Sequence, residues 1–147
     1  MLVAPALSGL VFGASPALAQ AACFFTMPPE LTIEVPPNTD SVLVRSGDNF
    51  LVDGVPCPPE ATVHNVDVIT VTSTLVDESE GFTIDLSGGP FAPGPNPASA
   101  PGDIPEIKID VELGFSFDGS DLLRIVGSAG PDIIIAGSEG INLNGDD

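Results

Sequence analysis

The chain has 147 residues and a formal charge of −18, with 21 Asp and Glu against three Lys and Arg. A surface of that sign repels phosphate, which excludes nucleic-acid binding and disfavours docking on anionic membranes. Hydrophobic residues make up 43% and are regularly placed, so the charge does not signal disorder and one domain with a real core is expected.

Residues 1–19 read as a signal peptide. Residues 2–11 are almost uncharged and apolar, and Ala17-Leu18-Ala19 supplies a small-x-small pattern before a cut that leaves Gln20 first. No Lys or Arg precedes the apolar run, which fits either a weak signal or a true start upstream. The run is shorter than the ~20 residues that span a bilayer, so no integral membrane segment is expected after cleavage. Cys23 and Cys57 lie in the exported portion. Two cysteines there most simply form one disulfide, the alternative being two unpaired buried thiols. A zinc site is short of ligands, since His64 is the one histidine.

Residues 20–65 read as an N-terminal β region. Strands are expected at 22–27 and 31–35, separated by Pro28-Pro29, with Phe24 and Phe25 seeding the core near the disulfide. Residues 42–45, 46–49 and 50–52 have the grammar of a hairpin, and Asp53-Gly54 offers a second tight turn back to Cys57. Residues 66–117 carry three more strands, at 66–74, 82–86 and 107–113, the first an alternating β-branched run, VDVITVTST. The Pro/Gly-rich stretch 87–105 reads as a long exposed loop or a polyproline spacer. Asp77-Glu78-Ser79-Glu80-Gly81 reads as a compact acidic turn, a solvated loop first and an adventitious cation site as the alternative. His64 has no Ser or Cys partner in a hydrolase motif and reads as structural or surface. No segment shows a sustained helical period with caps, so no helix is expected in the mature chain.

Residues 118–147 divide into nonapeptides: DGSDLLRIV (118–126), GSAGPDIII (127–135) and AGSEGINLN (136–144), then GDD. The eighth place holds Ile125, Ile134 and Leu143. A fixed short period is the mark of a solenoid, whose units bury their apolar faces only by stacking. Three units are about the minimum, so the repeats are expected to be a truncated stack. GSAGPDIII fits the pattern G-G-x-G-x-D-x-U-x at every defined place except Ser128.

On these residues the sequence resembles the hemolysin-type calcium-binding repeat (RTX) proteins. Residues 42–57 and 82–94 also resemble the region preceding such repeats in secreted bacterial members. The resemblance implies an all-β chain whose short hairpins and strands lead into a parallel β-solenoid, β-roll-like, over 118–147. It also implies Ca²⁺ held in the turns. Calcium takes six to eight oxygens, and glycine permits the positive-φ turns that aim carbonyls at one point. Carried onto this chain, Gly127, Gly130 and Asp132 match the turn and Ile134 the core place. Gly145-Asp146-Asp147 opens as a further unit would, which adds Asp146 to the metal-site residues. The flanking units place Leu123 and Ile141 where the Asp belongs; Asp118, Asp121, Glu139 and Asp147 are the other acids nearby.

The function expected is a secreted, non-catalytic calcium-binding module. Its partners would be calcium ions and a cell-surface or extracellular matrix component. The alternative is a metal-free structural or adhesive β-solenoid or β-sandwich at a cell surface. No HExxH or GxSxG occurs, so no enzyme activity is expected.

Overall fold

Alternating runs of β-branched side chains between Gly, Pro, Asn and Asp set where the strands begin and end. The computed structural model describes residues 20–26, 29–73, 78–92, 94–95, 107–114, 120–132, 134–137 and 140–143. The expected signal segment 1–19 lies outside the described residues, as do Asp77, Asp118, Glu139, Asp146 and Asp147. Among the described residues the chain is all-β with no α-helix. The strands are β1 (Ala22–Thr26), β2 (Glu30–Val35), β3 (Asp40–Ser46), β4 (Asn49–Val52), β5 (Val55–Pro56), β6 (Val68–Ser73), β7 (Gly81–Asp85), β8 (Lys108–Glu112), β9 (Leu122–Val126), β10 (Ile134–Gly137) and β11 (Gly140–Leu143). One 3-10 turn, Leu86–Gly88, follows β7.

Both main sheets are mixed. The first has the order β1-β2-β6-β8 and the second β5-β4-β3-β7-β9. β2, β6 and β8 run parallel, and so do β3, β7 and β9. From β2 onward the chain thus crosses from the first sheet to the second three times, at β2–β3, β6–β7 and β8–β9. Each crossing lies beside the one before it. Glu30 pairs with Val68 and Val68 with Lys108, offsets of 38 and 40 residues. In the second sheet Asp40 pairs with Gly81 and Gly81 with Leu122, both offsets of 41.

That pairing stacks like on like. Leu31, Ile69 and Ile109 form one column, Ile33, Val71 and Val111 a second, and Leu43, Ile84 and Ile125 a third. The inward faces of both sheets meet in a single core that includes Phe50, Val52, Phe82 and Leu86. Each fully buried aliphatic side chain contributes about 1.5–3 kcal/mol.

At one end the winding is closed by antiparallel strands: β1 on the first sheet, β4 and β5 on the second. The Cys23–Cys57 disulfide joins these two edges, with Cα atoms 5.3 Å apart. The expected hairpins are present. The Asp53-Gly54 turn has φ of 52° and 77°, the double positive φ of the turn that matches strand twist. Phe25 packs against the core, but Phe24 is 49% exposed: adjacent strand residues face opposite ways, so only one of the pair can point inward.

Two further expectations are corrected. The stretch 118–147 does not form a parallel roll. Its first strand, β9, joins the second sheet beside β7, while β10 and β11 pair antiparallel with each other. Ile134 is accordingly 48% exposed rather than anchored in a core, whereas Ile125 packs against it. Two residues separate β10 from β11 in the chain, which permits antiparallel pairing only; parallel partners need a longer crossover. The Pro/Gly-rich stretch is not wholly exposed either. Phe91 and Ala92 are buried, and Phe91 stacks on Phe50 with centroids 6.0 Å apart. Arg45 Nη1 fixes the strand of loop above it by donating to Pro90 O and Ala92 O.

Candidate functional site

Gly127, Gly130 and Asp132 lie in the turn between β9 and β10. The Asp132 carboxylate folds back over the turn, so that a Cβ on Gly127 would stand 2.5 Å from Asp132 Oδ2. Gly130 N–H donates to Ser128 Oγ at 3.1 Å. Here the side chain that breaks the glycine pattern, Ser128, ties the turn internally. Neither Gly127 nor Gly130 has positive φ, contrary to the left-handed turn expected of the motif. What Gly127 supplies is room for the carboxylate. Asp146, the fourth expected metal-site residue, lies outside the described residues. Among the described residues no three His, Cys, Asp or Glu side chains converge as a metal-binding group. The turn therefore offers one carboxylate plus backbone and hydroxyl oxygens.

A second polar region lies where the sheet-to-sheet crossings stack. Of the crossing between β2 and β3, residues 36–39 are described; between β6 and β7, residues 78–80; between β8 and β9, residues 113–114 and 120–121. Side chains tie successive crossings together. Asn38 Nδ2 donates to Glu78 Oε2 at 2.6 Å, and the Ser79 and Ser120 hydroxyls are hydrogen-bonded to each other. The backbone does the same: Gly81 N–H donates to Thr39 O and Leu122 N–H to Glu80 O, both at 2.9 Å. Thr39, Glu80 and Asp121 thus stand in line at the mouths of β3, β7 and β9.

Glu80 overturns the expectation of a solvated acidic turn. Only 2% of it is exposed, and neither carboxylate oxygen makes a well-formed hydrogen bond. Burial raises its pKa above the ordinary carboxylate value, and repulsion from Asp121 and Glu78 adds to the rise, while the Ser73 hydroxyl opposes it. Asp121, half-buried, accepts the Glu80 N–H at 3.2 Å through Oδ1. Asp121 was among the acids noted from the sequence; Glu80 was not singled out as buried. No local signal marks it: its burial follows from the 41-residue register that sets Glu80 beside Asp121, which the fold alone reveals.

The remaining features carry less chemistry. His64 is surface-exposed, with Nε2 3.4 Å from Asp48 Oδ1, which agrees with a surface role. A groove of about 730 Å³ beside the disulfide is lined by Ser46, Asn49, Leu51 and the prolines 56, 58 and 59, with no titratable side chain.

No protein family, curated protein or solved structure matches the chain. Functional assignment therefore stands on these residues and their geometry alone.

Proposed function

We propose that this chain is an exported, non-catalytic β-module that binds Ca²⁺ in Gly/Asp turns, with 127–132 as its calcium turn. The observation that carries this reading is the Asp132 carboxylate folded over Gly127, a glycine-floored turn with one acid at the place the repeat pattern requires. Export is supported by the Cys23–Cys57 disulfide, because such bonds persist in oxidising compartments. Among the described residues no helix is long and apolar enough to cross a membrane. The body that carries the turn is two mixed sheets over one core.

One carboxylate with carbonyl, hydroxyl and water oxygens suits a weak site, with Kd on the order of 10⁻⁴–10⁻³ M, the range of extracellular calcium modules. The test is calorimetric titration of the chelator-stripped full chain with Ca²⁺. Saturable heat in that range, lost in Asp132→Ala, supports the reading; absence of heat at ~10 mM refutes it.

A second reading, a metal-free structural or adhesive domain, is favoured by the three aliphatic columns, which build a core from side chains alone. A chain that gives no calcium heat and keeps the same β signal in chelator would be of this kind.

A further inference from the structure

Glu80 stands apart from the 127–132 turn and is buried for no reason that turn supplies. Its carboxylate is out of water and makes no well-formed hydrogen bond, with the Ser73 hydroxyl and the Asp121 side chain as the polar groups that act on it. A buried carboxylate persists if it is protonated, paired with a cationic side chain, or bound to a metal ion. Pairing is not what the chain provides. The ion pairs among the described residues are Arg45–Asp48, His64–Asp48 and Lys108–Asp110, and none involves Glu80 or its neighbours.

Those neighbours are acids. Asp121 receives the Glu80 N–H on Oδ1 at 3.2 Å, and the charges of Asp121 and Glu78 both disfavour an ionised Glu80. The arrangement is held by the stacked crossings on both sides: Leu122 N–H to Glu80 O, Gly81 N–H to Thr39 O, Ser79 to Ser120 and Asn38 to Glu78. β7 and β9 are hydrogen-bonded parallel neighbours, and adjacent strands lie about 4.8 Å apart. Glu80 and Asp121 immediately precede these strands, and Asp121 Oδ1 lies 3.2 Å from Glu80 N; Ca²⁺ bridges carboxylates on neighbouring segments with Ca–O distances of about 2.3–2.6 Å.

We propose that Glu80 and Asp121 together hold one divalent cation, Ca²⁺ in preference to Mg²⁺, at the seam where the second and third crossings stack. Two carboxylates make a partial shell, which Ca²⁺ completes with carbonyls, hydroxyls and water. Mg²⁺ demands near-ideal octahedral geometry and gives up its water reluctantly, so it is the natural control. This site is independent of the 127–132 turn: either can fail without the other.

The test is thermal unfolding of the full chain at pH 7, followed by far-UV circular dichroism, in chelator and in ~10 mM CaCl₂ or MgCl₂. The variants are Glu80→Gln, Asp121→Asn and Asp132→Asn. The expected result is a calcium-dependent rise in Tm for the wild type and Asp132→Asn, smaller with Mg²⁺, and lost in both Glu80→Gln and Asp121→Asn. Equilibrium dialysis with radioactive calcium should show at least tenfold weaker binding at the affected site. Should Glu80→Gln fail to fold, Asp121→Asn decides, since Asp121 is only half-buried. The proposal is overturned if the wild type shows no calcium-dependent shift. It is equally overturned if Asp121→Asn keeps the full shift, or if Asp132→Asn alone abolishes it; the last outcome leaves the calcium turn standing.

Discussion

Removing the disulfide tests the closed end of the fold most directly. Cys23 lies on the edge strand of one sheet and Cys57 immediately follows the edge strand of the other, 34 residues later. By the chain-entropy relation, releasing a loop of that length from the unfolded ensemble costs about 4 kcal/mol of stability. Domains of this size have about 5–15 kcal/mol in all, so the loss is a large share. The double variant Cys23→Ala/Cys57→Ala avoids placing a hydroxyl at Cys57, which is buried. Urea unfolding should show ΔG lower by about 3–4 kcal/mol and a larger m-value, because the unlinked chain exposes more surface when it unfolds. A loss under about 1 kcal/mol with unchanged m would refute the claim that this bond staples the two sheets.

Two further predictions follow from single residues. Glu80 has its folded pKa raised above 4.5, first by burial and then by Asp121 and Glu78, against Ser73. Its contribution to stability is therefore complete below pH 4.5 and declines as pH rises from there through the folded pKa. In calcium-free buffer Glu80→Gln should show a flatter pH–stability curve, its advantage over the wild type growing with pH; parallel curves would count against a buried, repelled carboxylate. Glycine substitution should separate backbone from side-chain crowding. A Cβ at Gly88 would overlap the Arg45 carbonyl, whereas one at Gly81 would meet the mobile end of Asp40. Gly88→Ala should lower Tm clearly more than Gly81→Ala, and equal effects would mean the loop after β7 yields freely.

The strands at 31–35, 42–45, 50–52, 66–74, 82–86 and 107–113 were legible because alternation and turn residues are local signals. So was the Asp53-Gly54 turn, whose residue types alone permit two positive φ values in a row. Pairing was not legible. Leu31, Ile69 and Ile109 share only aliphatic character across offsets of 38 and 40 residues, too little identity to mark a repeat. The nine-residue beat at the end of the chain is louder in sequence, yet its units enter different structures: Ile125 reaches the core and Ile134 does not. Glu80 was hidden for the same reason. Its immediate neighbours are acidic and polar, which reads as solvent-exposed, but its burial comes from crossings about 40 residues away on either side.

The columns also show why cation sites would fall where they are proposed. Along each column burial declines from the disulfide end outward. Leu31 and Ile69 are fully buried and Ile109 partly so; Leu43 and Ile84 are buried and Ile125 partly so. On β9 itself Leu122, Leu123 and Val126 are exposed. Hydrophobic burial therefore holds the closed end, reinforced by a covalent link, and fades toward β8 and β9, neither of which has a further strand on its outer side among the described residues. Asp121 immediately precedes β9, and Asp132 lies in the turn that follows it. In a chain of charge −18, self-repulsion is least offset where the core is thinnest, and an ion bridging Glu80 on β7's mouth to Asp121 on β9's would fasten the last crossing to the one before it. On the proposed reading calcium would act at the end bearing β8 and β9 as the disulfide does at the other. Ion binding should then be felt chiefly as protection of β9 and much less at β2 or β3, because local opening is governed by the contacts a segment makes and not by the stability of the whole.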